Sequence, residues 1–396
     1  MVTSSNSTDQ AVRSVPYALP YLADEEIAGV VAALRSGWIT TGPQVKEFEQ
    51  RFARHVKAPQ AIALNSCTAA LHLALLGAGV GPGDEVITTP LTFCATVNTI
   101  LHVGARPVLA DVDPRTLCLS PDAAAAKITP RTKALLPVHY AGCPADMAAF
   151  LHLAQEHRLA VIEDAAHAIG TEYNNQPIGA LGDFTCFSFY ATKNLTTGEG
   201  GMLTGKDEST TERLRKLALH GMSRDAWQRY SLAGSWAYQV EMAGFKYNMT
   251  DLAAALGLAQ LERFAWLQQI REGYVARYQS AFAESGFELP PQSPRPGDRH
   301  SWHLYILRLD PCQLTIERGD FIKQLQAVGI GTSVHFIPIH LHPYYQQELG
   351  VRPGDFPVTE RAYSRMLSLP LYPKLSEEDV SYVIAQVTHL AQRYRK

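Results

Sequence analysis

One lysine stands alone in the run Phe184-Thr-Cys-Phe-Ser-Phe-Tyr-Ala-Thr-Lys-Asn-Leu-Thr-Thr-Gly-Glu-Gly-Gly201. Residues 184–189 are aromatic and β-branched and read as a strand. A polar turn carrying Lys193 follows, and Met202-Leu203-Thr204 reads as a second short strand. No other cation lies between Phe184 and Gly205. A lysine held away from water loses basicity and becomes a usable amine nucleophile, whereas one on a wet hairpin stays charged and inert.

Three more candidate groups fall where strands end. Ser66-Cys67-Thr68 follows the apolar run 61–64 and opens a helix. Free backbone N–H groups and the positive end of the helix dipole collect there, and small hydroxyl-bearing residues leave room for a phosphate. Simple N-capping by Ser66 would produce the same pattern. Phe93 follows the strand 85–88. Glu163-Asp164-Ala-Ala-His167 follows the strand 159–162. Singly, Asp164 reads as a helix cap, His167 as a bonded core histidine and Phe93 as packing.

One ligand accounts for the ordered set, namely pyridoxal 5′-phosphate. Its aldehyde needs an amine, which Lys193 supplies. Its ring nitrogen stays protonated beside a buried carboxylate, and Asp164 fits. Its phosphate needs N–H and hydroxyl donors, for which Cys67, Thr68 and Ser188 are suited. Its ring needs a flat apolar cover, which Phe93 offers. His167, three residues beyond Asp164, is placed to reach the phenolic oxygen or the other ring face.

The elements that must position these residues follow from hydrophobic periodicity. Helices are expected over 25–36, capped by Asp24, and 44–55. Short apolar strands at 61–64, 85–88, 106–110, 134–138 and 159–162 alternate with helices at 69–77, 121–128 and 146–157. Alternation of this kind predicts an α/β fold with a large, mostly parallel mixed sheet between helical layers. The site is then expected beyond the carboxyl ends of the strands. A single long helix over 252–281 leads to a smaller α+β domain. It has strands at 302–309 and 331–336 and helices at 318–329 and 377–394. The expected division is an extended segment 1–20, a large cofactor-binding domain 21–262, and a linking helix with a small C-terminal domain 263–396.

Bulk composition narrows the function classes. Hydrophobic residues make up 46% and charged residues 18% of the 396, as in soluble globular enzymes. A net charge of −3 supplies no basic stripe for nucleic acid. No apolar run has the length to cross a bilayer. The polar residues 1–10 lack the blocks of a signal peptide, so a cytoplasmic protein is expected. None of the six cysteines forms a CxxC pair, which fits reduced thiols. His335, His340 and His342 lie close in sequence, but no Cys or carboxylate ligand accompanies them and no metal is expected.

The chain resembles the DegT/StrS family of pyridoxal-phosphate-dependent sugar aminotransferases. The resemblance runs from Trp38-Ile-Thr-Thr-Gly-Pro43 through Glu163-Asp-Ala-Ala-His167, Ser188-Phe-Tyr-Ala-Thr-Lys193-Asn and Gly198-Glu-Gly-Gly201. It implies the aspartate-aminotransferase-like fold (fold type I) and a homodimer with shared active sites. It also implies transamination of a nucleotide-linked keto-sugar with L-glutamate as donor, giving an amino sugar and 2-oxoglutarate. By the same resemblance Lys193, Asp164 and Ser188 take the catalytic, ring-nitrogen and phosphate roles, and Ser66-Cys67-Thr68 the phosphate turn. Lys246-Tyr247-Asn248 stands where many relatives carry Asn-Tyr-Arg. That substitution implies Asn248, or else Lys246, as the residue reaching the phosphate of the other subunit. This form, with the run 220–227 before it, is similar to enzymes aminating C4, such as 4-amino-4-deoxyarabinose synthases. His335, His340 and Tyr344 resemble the family's Val-His-Tyr-x-Pro-Leu-His run on the sugar side. Alternatives within the family are amination of a 3-keto-sugar or cyclic ketone, a dehydratase, and a 3-amino-5-hydroxybenzoate-synthase-like enzyme. The dehydratase branch replaces the lysine with histidine, against which Lys193 argues. A catalytically silent regulatory relative is the non-enzyme alternative.

Overall fold

The computed structural model describes residues 13–223 and 238–396. The first twelve residues of the expected N-terminal segment, and residues 224–227 of the run before Lys246, lie outside the described residues.

The strands are β1 (Gln60–Leu64), β2 (Glu85–Thr88), β3 (Arg106–Leu109), β4 (Thr132–Leu135), β5 (Ala160–Asp164), the small pair β6 (Glu172–Tyr173) and β7 (Gln176–Pro177), β8 (Phe184–Ser188), β9 (Gly201–Gly205), β10 (Phe287–Glu288), β11 (Tyr305–Leu309) and β12 (Met366–Leu369). Seven of them form the main sheet in the order β1-β9-β8-β5-β4-β2-β3. The pairs from β3 to β8 are parallel, whereas β9 is antiparallel to both β8 and β1. Two reversals restore the direction, so β1 points the same way as β8. The carboxyl ends of β1, β5 and β8 and the start of β9 therefore share one edge. Gly201 pairs there with both Leu64 and Ser188.

Alternate residues sort to opposite faces of this sheet, as the pleat demands. Phe187, Phe189 and Met202 join Phe48 and Phe52 in one core, and Cys186 and Leu203 join Leu71 and Leu75 in another. Both faces are covered, which is why the strands read as nearly continuous apolar runs.

The C-terminal part builds the antiparallel sheet β10-β11-β12. Tyr278, Phe282, Tyr305, Phe321, Val383 and Val387 form its core, which also takes in Val15. Val15 bridges to Ile330, so the chain's entry segment is tied to this part. Residues 339–359 fold back onto the large sheet. Ile339 N donates to Pro90 O at 2.9 Å, and Asp111 accepts from Val358 N, Thr359 N and Thr359 Oγ1.

Three expected elements differ. The helix over 252–281 is two helices, Asp251–Glu262 and Phe264–Phe282, broken at Arg263. The Arg263 guanidinium lies over the nearby Trp266 ring and makes long-range contacts with Tyr21, Glu25 and Glu26, which hold the bend without Gly or Pro. The strand expected at 302–309 starts at Tyr305, because Ser301 and His303 are bonded elsewhere. Residues 331–336 form no strand and keep one bridge, Ser333 to Ser368, since His335 and Phe336 turn into a cavity. Among the described residues no helix is long and apolar enough to cross a membrane.

Candidate active site

A cavity of about 480 Å³ opens at the shared sheet edge. That size lies within the range of sites for small organic ligands. Ser66, Cys67, Thr68, Phe93, Asp164, His167, Ser188, Lys193 and His335 all line it. Sequence reasoning thus placed nine candidates that the fold brings together.

Lys193 sits on the loop from β8 to β9. The loop closes on itself through Phe189 N to Gly200 O and Thr197 N to Phe189 O, each 2.9 Å, and through Lys193 N to Tyr190 O at 2.9 Å. The next residue, Asn194, is buried and held on three sides. Its Nδ2 donates to Ser301 O at 2.8 Å and Gln268 Oε1 at 3.2 Å, and its Oδ1 lies 3.1 Å from His303 Nδ1. Because Nδ2 is spent as a donor, Oδ1 accepts, and Nδ1 of His303 carries the hydrogen. Lys193 keeps partial access through the cavity. Burial pulls its ammonium down to about 8, against a smaller opposing pull from Cys67 and Asp164. A substantial neutral amine is therefore present at neutral to mildly alkaline pH.

Asp164 ends β5 and is 4% exposed. Its Oδ2 accepts from Thr96 Oγ1 at 2.7 Å and its Oδ1 from Ala166 N at 3.1 Å. Burial raises its pKa on balance, and these bonds, then the Lys193 and His139 charges, oppose that rise and favour the ionised form. His167 takes the Ala141 N–H at Nδ1 (3.2 Å), so its hydrogen lies on Nε2 in the neutral ring. Burial, then Lys193 and His335, keep it neutral. The ring stacks on Phe336 at 5.8 Å and tilts against His303 at 4.4 Å. His335 is likewise pushed down to about 4, chiefly by burial, and its Nδ1 lies 2.8 Å from Ser368 Oγ.

The phosphate-suited turn is built at a helix start. Ser66 Oγ accepts from Ala69 N at 3.1 Å and Ser66 O from Ala70 N at 3.2 Å, which leaves the amides of Cys67 and Thr68 for a ligand. Capping and anion binding are both available at once. Gly201 packs directly under this turn, where a Cβ would stand 2.5 Å from the Ser66 carbonyl carbon and 2.6 Å from the Cys67 nitrogen. Phe93 is 57% exposed and faces Phe336 at 5.7 Å, leaving an aromatic face open to a guest.

These residues fit pyridoxal phosphate on grounds internal to the structure. A partly neutral amine and a carboxylate without an ion-pair partner among the described residues line the same cavity as an anion-suited helix start. Lys193 would hold the aldehyde end, Asp164 the ring nitrogen, and Ser66-Cys67-Thr68 with Ser188 the phosphate.

Four sequence candidates are not brought into this cavity. Asn248 Nδ2 donates to Thr41 Oγ1 at 2.6 Å, and Lys246 O accepts from Asn65 Nδ2 at 3.2 Å, both beside the end of β1. His340 is fully buried against Glu360 at 2.9 Å, and Tyr344 is exposed on the helix Pro343–Leu349. The clustered histidines go separate ways, His342 to Ile337 O, and no metal-binding cluster exists among the described residues. Sequence reasoning missed His303, Thr92, Thr96, Tyr17 and Phe336 as lining residues. The polar Ser301-Trp302-His303 ahead of an apolar strand was a signal for His303. The threonines gave none.

The sequence model of the DegT/DnrJ/EryC1/StrS aminotransferase family matches residues 20–388. The chain is 53% identical over 379 residues to the spore coat polysaccharide biosynthesis protein SpsC of Bacillus subtilis, covering 96% of this chain and 97% of that one. Among solved structures it is similar to the sugar aminotransferase Spr1654 of Streptococcus pneumoniae, described in PLP and PMP forms. The PLP form has a TM-score of 0.90 and 36% identity over 96% of this chain and 99% of that one. It is also similar to Helicobacter pylori PseC, an aminotransferase of pseudoaminic acid biosynthesis, with a TM-score of 0.87 and 28% identity over 96% and 100% of the two chains.

Proposed function

The chain belongs to the DegT/DnrJ/EryC1/StrS aminotransferase family and is a pyridoxal-phosphate-dependent sugar aminotransferase of fold type I; from that premise we propose that it moves the amino group of L-glutamate onto the C4 keto carbon of a nucleotide-linked sugar. The observation that supports transamination is the convergence of Lys193, Asp164 and Ser66-Cys67-Thr68 on one cavity, and the C4 assignment rests on the Lys246-Tyr247-Asn248 form of the sequence. When bound, the cofactor supplies an electron sink for the charge left as a C–H bond breaks.

The residues act around that sink. Lys193, with its basicity lowered to about 8, takes the proton from the donor's Cα and returns one to the sugar carbon. Asp164 holds the ring nitrogen's proton by its negative charge. The helix start at Cys67 and the Ser188 hydroxyl would hold the phosphate in the cavity that Lys193 also lines. Neutral His167 presents Nε2–H beside Phe336, and Phe93 and Phe336 give the cavity its aromatic faces. His335, with its ring in the cavity wall, is the sugar-side residue supported by position.

Two further assignments rest on the family. The enzyme acts as a homodimer, and Asn248, with Lys246 second, reaches the phosphate held by the other subunit. Neither residue lines the cavity of its own chain, as expected of a residue serving a second copy. The location is cytoplasmic.

The test is a screen of UDP-, GDP- and dTDP-linked 3-keto and 4-keto sugars with glutamate, products read by mass spectrometry. A 4-amino sugar with equimolar 2-oxoglutarate is expected. A 3-amino sugar as sole product would overturn the regiochemistry, and water loss without amination would overturn the reaction class.

A further inference from the structure

Thr96 lies in the helix Cys94–His102, whose N-cap is Phe93. A threonine inside a helix ordinarily turns its hydroxyl back to the carbonyl four residues earlier. Thr99, in the same helix, does so, bonding Ala95 O at 3.0 Å. Thr96 does not. Its Oγ1 reaches across to the end of β5 and meets Asp164 Oδ2 at 2.7 Å. Behind it, Thr92 Oγ1 lies 2.7 Å from Thr96 Oγ1. The two threonines are 2% and 1% exposed, so water does not compete for these bonds.

The direction of this chain is fixed by hydrogen count. An ionised carboxylate only accepts, so the single hydroxyl hydrogen of Thr96 goes to Asp164. The Thr92–Thr96 contact then needs its hydrogen from Thr92. Two fixed donors, Thr96 and the Ala166 amide, hold the two carboxylate oxygens from different sides. The carboxylate keeps further lone pairs for a third donor from the cavity. Among the described residues no cation is bonded to it, so these dipoles are its close support. Removing one leaves a buried anion short of a partner, the costly kind of deletion.

We propose that Thr96 is a positioning residue for Asp164: with Thr92 behind it, it forms a one-way hydroxyl chain that fixes the carboxylate's rotation and keeps it ionised toward the cofactor ring. The proposal rests on the reading of Asp164 as the ring nitrogen's partner. The helix that carries the chain also carries Phe93 at its start. One helix therefore carries both the aromatic face that would meet the ring and the hydroxyl that orients the carboxylate that would meet its nitrogen.

The experiment uses the full-length protein with Thr96→Val, which keeps the shape and loses the hydroxyl, and Thr96→Ser, which keeps the hydroxyl. Carbon-13 NMR of labelled aspartate carboxyls, with Asp164→Asn for assignment, reads the Asp164 titration in cofactor-free protein. Thr96→Val is expected to raise the midpoint by about 1–2 pH units, and Thr96→Ser to restore it. Binding of pyridoxal phosphate at pH 7.5 is expected to weaken about tenfold in the valine variant alone. Thr92→Val gives a smaller shift of the same sign and serves should Thr96→Val not fold. An Asp164 midpoint unmoved by loss of the hydroxyls overturns the proposal, and so does an equal loss in the serine variant. A midpoint that moves while cofactor affinity stays constant upholds the hydroxyl chain and removes Asp164 from the ring.

Discussion

His303 Nδ1 and Asn194 Oδ1 meet at 3.1 Å, joining a residue just before β11 to the neighbour of Lys193 across 109 positions of sequence. The contact does two jobs. It fixes the tautomer of His303, making Nε2 the acceptor nitrogen, and it clamps the lysine loop from the C-terminal side. Ser301 O and Gln268 Oε1 complete the clamp.

Asn194→Ala is expected to strand two buried partners at once, His303 Nδ1–H and Gln268 Oε1, while Ser301 O keeps its bond from Gln268 Nε2 at 2.9 Å. Unfolding free energy should fall by about 3 kcal/mol, measured by denaturant titration. Turnover should fall with it, because the loop no longer holds Lys193 in register. A variant as stable as the parent would show that the clamp contributes nothing.

Lys193→Ala is expected to abolish turnover and the visible absorption of lysine-bound cofactor, while circular dichroism stays that of the parent. The amine makes no side-chain hydrogen bond or ion pair to protein among the described residues, so its loss leaves no buried partner unsatisfied. Measurable transamination by this variant, at any rate near that of the parent, would move the nucleophile elsewhere.

The pH dependence follows from the same lysine. Its folded-state value of about 8 lies below the ordinary 10.5. Loading of cofactor onto stripped protein needs the neutral amine. The loading rate should therefore climb about tenfold per pH unit below 8 and level off above it, as followed by stopped-flow absorbance. In the stripped protein the unfolded chain binds more protons at this position between those two values. The group's contribution to stability accordingly rises with pH across that window. A loading rate that kept climbing to pH 10 would mean a water-exposed amine.

Gly201→Ala tests the floor of the phosphate turn. The added methyl would press on the Ser66–Cys67 peptide at 2.5–2.6 Å, backbone that cannot swing aside. Overpacking of this kind costs about 1–3 kcal/mol. Displacement of the turn should also weaken binding of pyridoxal phosphate more than binding of its phosphate-free analogue pyridoxal. Equal weakening of both would separate Gly201 from the phosphate.

The legible part of the site was the part written in short runs. Lys193, Asp164 and Ser66 each sit where a strand ends, and a strand's end is visible in apolar pattern alone. Their meeting at one edge follows from parallel order, and the antiparallel β9 preserves it by returning the chain between two like-directed neighbours. What escaped was written across distance. Thr96 looks like any helical threonine until β5 lies beside it. Arg263 breaks a helix only because Glu25 and Glu26 wait more than 230 residues earlier. His335 and Phe336 alternate like a strand, yet aromatic contacts with Tyr17, His167 and Phe93 take them instead.

The wall carrying His335 and Phe336 is fastened at both ends. Ser333 pairs with Ser368 on one side, and Ile339 is bonded to Pro90 on the other. A jaw-like swing of the smaller part would have to break the second anchor and the Asp111 contacts beyond it. Widening the doorway on this side therefore costs those hydrogen bonds, a cost that a broader sugar would have to repay on entering.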